Sequence, residues 1–212
     1  LPLRWHEGDL GDGEGLTEAM QGCDVVFHAA GYAAATERSV RRAVREGVSQ
    51  MRRVLGAARA AGVGRVVYTS SLATIGQPSP GGDRLADERD PYVPGSTWNS
   101  YYESKWLMEL EALRATRAGL PVVSLCPTAV FGPGDVKPST SQILLMLAQG
   151  RLPAAVDLVT NFVDGRDVAL AHVRAVSRGE PGERYILGGH NLNVADMLRE
   201  AAEAGGVRAP RR

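Results

Sequence analysis

The sequence predicts an α/β fold, a doubly wound parallel sheet with helices on both faces. Three observations carry that prediction. Short, nearly unbroken apolar runs rich in β-branched residues recur along the chain, as strands buried on both faces require. Amphipathic helical stretches separate them, giving the strand–helix–strand rhythm of parallel pairing. The length of 212 residues, 44% of them hydrophobic and 23% charged, is enough to bury a sizeable core in one domain or one and a half.

Taken in order, Leu3–Glu7 alternates and reads as an edge strand. The run Asp24–Ala30 (DVVFHAA) is the first buried strand. Residues 39–61 place Val40, Val44, Val48, Met51, Val54, Leu55 and Ala58 on a helical stripe, and Gly62 and Gly64 are expected to cap its end. Arg65–Ser70 (RVVYTS) is the second strand. The stretch 76–98, rich in Gly, Pro, Asp and Ser, has no periodicity and reads as a long functional loop. Residues 100–118 form a helix with Tyr101, Lys105, Met108 and Ala112 along one line, followed by the strand Pro121–Cys126. Helices at 139–149 and 166–178, the latter capped by Asp164, precede a strand at Arg184–Leu187 and a last helix from Asn193 to Ala204.

The composition excludes several classes of function. Basic and acidic residues number 24 each, and the absence of a basic block argues against nucleic acid or an anionic membrane as partner. No apolar run approaches the length of a membrane span, and the first residues lack the order of a signal peptide, so a cytoplasmic location is expected. Cys23 and Cys126 read as free thiols. His6, His172 and His190 are scattered without zinc-like spacing, and no metal is expected. His28, in an apolar strand, reads as a packed core histidine. Of the basic residues only Lys105 and Lys137 are lysines, which singles out the first.

Lys105 lies one helical turn after Tyr101, on the same face. A free tyrosine titrates near ~10, and a neighbouring ammonium stabilises the phenolate, making it a usable acid or base. Lysine does this as a compact charge, which arginine does not reproduce. A second group of hydroxyls, Thr69, Ser70 and Ser71, ends the second strand on the side where doubly wound folds carry their active sites. Ser71 is placed to donate to a carbonyl oxygen; the alternative is capping of the strand end.

These segments, with Gly8-Asp9-Leu10, Val26–Gly31, Tyr101–Lys105, Pro127–Asp135, Asn161–Ala169 and Gly182–Gly189 in that order, resemble the extended short-chain dehydrogenase/reductases. Within them the chain is similar to the NAD-dependent epimerase/dehydratase group, on its dihydroflavonol-reductase-like and hopanoid-associated sugar epimerase-like side. The resemblance implies a Rossmann-type fold and NAD or NADP as cofactor. It makes Tyr101 the acid/base, Lys105 its partner and ribose ligand, and Ser71 the carbonyl-binding hydroxyl, with Ser70 as the alternative should the register be off by one. Asp9 and Leu10 would meet the adenine, Ala29, Ala30 and Gly31 would pass close to the cofactor, Thr69 and Ser70 would flank it, and Pro127, Thr128 and Val130 would line the nicotinamide side. Asp164 and Asp167 are more structural than catalytic, and Trp98 and Tyr102 border the substrate pocket or pack the core. Residues 1–135 would form a partial dinucleotide-binding domain, and 136–212 a mixed segment contributing to a small substrate-binding portion and to the last sheet strands.

The departures from the pattern refine this. The family's opening strand and glycine-rich phosphate loop have no counterpart here, so the fold is expected to be incomplete at its N-terminus and to continue past Arg212. Leu72-Ala73 stand where sugar-nucleotide dehydratases carry Asp-Glu, and Gly47, Cys126 and Ala129 replace polar residues common in nucleotide-sugar enzymes. The expected function is therefore NAD(P)-dependent hydride transfer to or from a small-molecule carbonyl or hydroxyl carbon. A sugar epimerase using the same residues is the alternative, and a non-catalytic dinucleotide-sensing or scaffold protein, or an inactive fragment, the contrast from another class. A homodimer is the expected assembly of the full-length enzyme.

Overall fold

The computed structural model describes residues 3–31, 37, 39–78, 84–136 and 140–211. They form two compact units: residues 1–126 with 172–186, and residues 127–171 with 187–212.

The first unit is built on a sheet of β1 (Val25–His28), β2 (Arg65–Thr69), β3 (Val122–Pro127) and β6 (Arg184–Leu187), in the order β1-β2-β3-β6. The β1–β2 and β2–β3 pairs are parallel, with Val25 opposite Arg65 and Val66 opposite Val122. Between β3 and β6 the hydrogen bonds advance together along both chains, from Gly182 N to Val122 O and from Ser124 N to Glu183 O, again a parallel pattern. The four expected strands thus pair in the expected order. Every residue of β3 is buried, and the middle of β2 is too, which accounts for their continuous apolar sequence.

Helices α1 (Gly13–Met20), α2 (Val40–Ala60) and α3 (Ser100–Arg117) complete the unit. Ser39 Oγ accepts from Arg42 N to start α2. The stripe residues Met51, Val54, Leu55 and Ala58 pack with Val66, Tyr68, Met108 and Val122 into one apolar cluster. Gly62 (φ +72°) takes the left-handed conformation that closes the helix. Gly64 does not cap it. Its N donates to Asp24 O, and an added Cβ would lie 3.2 Å from that carbonyl, so it serves the close approach of two strand starts instead. Leu3–Glu7 is not a strand: its residues are exposed, Trp5 to 89%, and none pairs with a described strand. Alternation marks a strand only where a neighbour supplies the ladder.

The second unit holds a sheet of β4 (Ala129–Phe131), β5 (Val159–Asp164) and β7 (His190–Asn193), with β4–β5 parallel and β5–β7 antiparallel. Helices α4 (Gln142–Ala148) and α6 (Val194–Ala204) pack together through Leu147, Leu198 and Ala202. Helix α5 (Gly165–Arg178) follows β5 directly, with Asp164 Oδ1 accepting from Arg166 N. The expected first residue of the helix at 139 and residues 79–83 of the long loop lie outside the described residues. Among the described residues no helix is long and apolar enough to cross a membrane.

Candidate active site

The candidate site lies in the first unit, where β2 ends and α3 begins. Helix α3 starts at Ser100 because Asn99 Oδ1 accepts from Tyr101 N at 2.9 Å. Its first turn is tied to the preceding loop: Glu103 Oε1 accepts from Tyr92 Oη at 2.8 Å and from Gly95 N at 2.6 Å. Along α3, Tyr101, Lys105 and Glu109 recur every four residues, and Lys105 reaches the carboxyl end of β2.

Ser71 follows β2 and caps a 3-10 turn at Leu72–Thr74, its Oγ accepting from Ala73 N at 3.2 Å. The same hydroxyl bears on the ionisation of Tyr101, lowering its pKa against the effect of burial. The alternative of capping is thus realised at Ser71. Ser70 turns the other way: it is buried and its Oγ donates to Glu109 Oε2. Of the two candidate hydroxyls, Ser71 is the one that bears on the phenol.

Lys105 Nζ donates to Thr69 O at 3.2 Å and stands 5.5 Å over the ring of Tyr68. Its other two N–H bonds have no partner among the described residues. Burial pulls its pKa below the ordinary lysine value, against the raising influence of Cys126 and Glu109. Tyr101 is displaced upward by burial, opposed by the Ser71 hydroxyl and assisted by Tyr102. The expected lowering of the phenol by Lys105 is therefore not what the protein side chains alone produce. Desolvation prevails at Tyr101, and the ammonium is engaged by Thr69 and Tyr68.

Two histidines bear on this wall. His28, at the end of β1, is buried and stacked on Tyr68 at 5.5 Å and 24°, the core histidine expected. Burial, followed by the charge of Lys105, holds its pKa down to about 4, so the ring is neutral. His172 Nε2 lies 2.7 Å from Thr69 Oγ1, a contact invisible in the sequence because 103 positions separate the two.

The other expected cofactor contacts are distributed. Ala29, Ala30 and Gly31 form an exposed run beyond β1, without a side chain larger than methyl. Asp9 makes a turn, its Oδ1 accepting from Gly11 N at 2.5 Å, and Leu10 packs partly on the core. Pro127, Thr128 and Val130 belong to the second unit, where Thr128 N donates to Leu187 O and Val130 pairs with Val163. Trp98 is fully exposed, whereas the Tyr102 ring packs between those of Tyr92 and Tyr101 at 5.9 and 6.3 Å. Asp164 is held at about 2 by Arg166, a local ion pair at the start of α5.

Sequence reasoning missed a buried charge network behind Ser71. Glu109 accepts from Ser70 with one oxygen and from Arg184 Nη1 at 2.9 Å with the other. The thiol of Cys126 lies 3.6 Å from Glu109 and from Thr74 Oγ1, and burial with the nearby carboxylate pushes it up to about 12. Glu109 was findable as a carboxylate on the line of Tyr101 and Lys105; Arg184 carried no such signal. Among the described residues no cluster of His, Cys, Asp and Glu could hold a metal ion.

The model of the NAD dependent epimerase/dehydratase family matches residues 1–188. A Synechocystis protein named as a dihydroflavonol 4-reductase is 37% identical over 216 residues, covering 100% of this chain and 62% of its own length. A nucleoside-diphosphate-sugar epimerase from Pseudomonas aeruginosa is 29% identical with a TM-score of 0.83, over 96% of this chain and 63% of the other. A UDP-glucose 4-epimerase from Thermus thermophilus, solved with NAD, is 26% identical with a TM-score of 0.79, over 98% and 70%. The chain spans about 62% of the length of the curated relatives it matches.

Proposed function

Since the chain belongs to the NAD dependent epimerase/dehydratase family, we propose that it carries the acid/base wall of an NAD(P)-dependent oxidoreductase acting on a small-molecule carbonyl. The observation that carries this reading is the placement of Tyr101 in the first turn of α3, of Lys105 one turn further on with its Nζ donating to Thr69 O at the carboxyl end of β2, and of Ser71 two residues beyond that strand.

The residues present fit a dinucleotide. The small, exposed run Ala29–Gly31 leaves room for close approach at the carboxyl end of β1. The two unengaged donors of the buried Lys105 ammonium suit ribose hydroxyls. When bound, the nicotinamide supplies or accepts the hydride. The chain's own residues handle the oxygen: Ser71 donates a hydrogen bond to the carbonyl oxygen and orients it, and Tyr101 gives up its phenolic proton as charge develops there. A phenol kept protonated by burial is in the state that reduction needs.

Leu72 and Ala73, the latter buried in the 3-10 turn, provide no acid or base for elimination, which favours reduction over dehydration. The likeness to two epimerases supports a second reading, in which the same residues oxidise a sugar hydroxyl and reduce the other face. Turnover followed at the nicotinamide absorbance separates them, because reduction consumes cofactor and epimerisation leaves the signal flat. In the protein carrying this chain, Tyr101→Phe is expected to lower turnover roughly 10²–10⁴-fold with little change in cofactor affinity. Wild-type turnover in that variant refutes the role of the phenol.

A further inference from the structure

The end of β2 carries two side chains that the pleat sends to opposite faces. Thr69 meets His172 of α5, its Oγ1 2.7 Å from Nε2. Tyr68 is wholly buried in the apolar cluster, packed with Met51 of α2 and with Met108 and Ala112 of α3. Its hydroxyl has no hydrogen-bond partner among the described residues, so the polar end of the side chain gains nothing there. What Tyr68 offers is its ring. Lys105 Nζ stands 5.5 Å over the ring centroid, within the ~6 Å at which the negative face of an aromatic ring attracts a cation. The same ammonium donates to Thr69 O at 3.2 Å. Consecutive residues of one strand thus hold the charge, one by a carbonyl and the other by a π face. Such a hold matters because burial disfavours the charged lysine. The attraction of a ring face is strongest where water is excluded.

We propose that Tyr68 is a positioning residue for Lys105, the face of its ring holding the ammonium at the end of β2 beside the Thr69 carbonyl. The other groups that bear on the ammonium are His28 on β1, Cys126 on β3 and, on its own helix, Glu109, with Tyr101 one turn before. His28 is neutral above about pH 4 and the Cys126 thiol stays protonated to about 12, so neither changes charge over the alkaline range in which a lysine loses its proton. Glu109 is held by Ser70 and Arg184, whichever aromatic ring stands at position 68. A change made to the electrons of the ring alone therefore reaches Lys105 without passing through these groups. The proposal rests on Lys105 being the cation of the reacting wall. Turnover of Tyr101→Phe tests that wall, whereas the titration below needs neither cofactor nor substrate, so the two fail separately.

The test replaces Tyr68 by phenylalanine and then by phenylalanines carrying one, two and three ring fluorines, which drain the negative face in steps while barely changing its shape. Tyr68→Phe removes only the unpartnered hydroxyl and is expected to melt near the wild type. The background is Lys137→Arg, which leaves Lys105 as the one lysine of this chain, so carbon-13 labelling of lysine reports its titration by NMR without overlap. The midpoint is expected to stay near that of the parent in Tyr68→Phe and to fall with each fluorine, by about one unit in all with three. A ring that merely fills space gives no such slope. A midpoint independent of fluorine number overturns the proposal. Should the trifluorinated chain fail to fold, the slope over the chains with one and two fluorines decides in the same way.

Discussion

Gly76 lies at the point where the loop 84–98 is fastened to the candidate site, and replacing it tests how firmly. The antiparallel bridge between Ile75 and Pro91 is flanked by two hydrogen bonds, Gly76 N to Asp90 O at 2.8 Å and Tyr92 N to Thr74 O at 3.0 Å. A Cβ on Gly76 would run into the carbonyl oxygen of Pro91 and stand 2.9 Å from its carbon. The oxygen is the nearer of the two, and restoring an ordinary van der Waals separation requires the Pro91 peptide to retreat by roughly 1 Å or more. Overpacking of this kind costs about 1–3 kcal/mol, and each weakened hydrogen bond up to about 1 kcal/mol. The stiffer unfolded chain returns about 0.4–1 kcal/mol. Gly76→Ala is therefore expected to lose about 2–3 kcal/mol, a fall in Tm of roughly 5–10 °C for a chain of this size. Urea unfolding gives the free energy, and amide exchange shows whether 84–98 has come away. The control is Gly56→Ala in α2, where a Cβ meets nothing within 4 Å and helix propensity alone should add about 1 kcal/mol. Wild-type stability and loop protection in Gly76→Ala refute the reasoning.

Further outcomes concern His28 and Lys105. With its pKa about 4 in the folded chain, His28 stays neutral while the unfolded chain takes up a proton below about pH 6.5. Its contribution is complete above that pH and is lost as the pH falls toward 4, up to about 3 kcal/mol. His28→Phe should flatten the wild-type slope of unfolding free energy between pH 5 and 7, and an unchanged slope refutes the assignment. Because the Lys105 ammonium contributes to that depression, Lys105→Met should raise the His28 pKa in an NMR titration.

What was legible in the sequence is what local pattern determines. The apolar runs of β2 and β3 are legible because both strands are buried on both faces, whereas β1 and β6 are only partly buried and are legible from their apolar composition. Helices α2 and α3 are legible from their stripes, while the N-caps Ser39 and Asn99 that start them are found in the structure. The pair Tyr101 and Lys105 follows from helix geometry alone. The second sheet was not legible: β7 reads His-Asn-Leu-Asn and is mostly exposed, so its strand character comes from pairing with β5. Helix α1 was missed because Gly13 and Gly15 disfavour a helix; the side chain of Asp12, accepting from Glu14 N and Gly15 N, supports it. Ser70 and Ser71 differ in no way that sequence reveals. The structure separates them: Ser70 is buried with its hydroxyl donating to Glu109 of α3, and Ser71 caps the 3-10 turn.

The strand order β1-β2-β3-β6 also dictates a sequence of assembly. Every pairing in the first sheet joins residues some 40 to 60 positions apart, and closing a loop of about 60 residues costs about 3.5 kcal/mol before any contact repays it. With no hairpin among these strands to nucleate locally, the sheet gains stability only as a whole, the mark of a slow and cooperative folder. During synthesis the amino-terminal strands and α3 leave the ribosome first, and Arg184 arrives with the last strand. Until then Glu109 is a carboxylate facing burial without its counter-ion, which disfavours early compaction around it. The Glu109–Arg184 ion pair therefore closes only once β6 has joined β3.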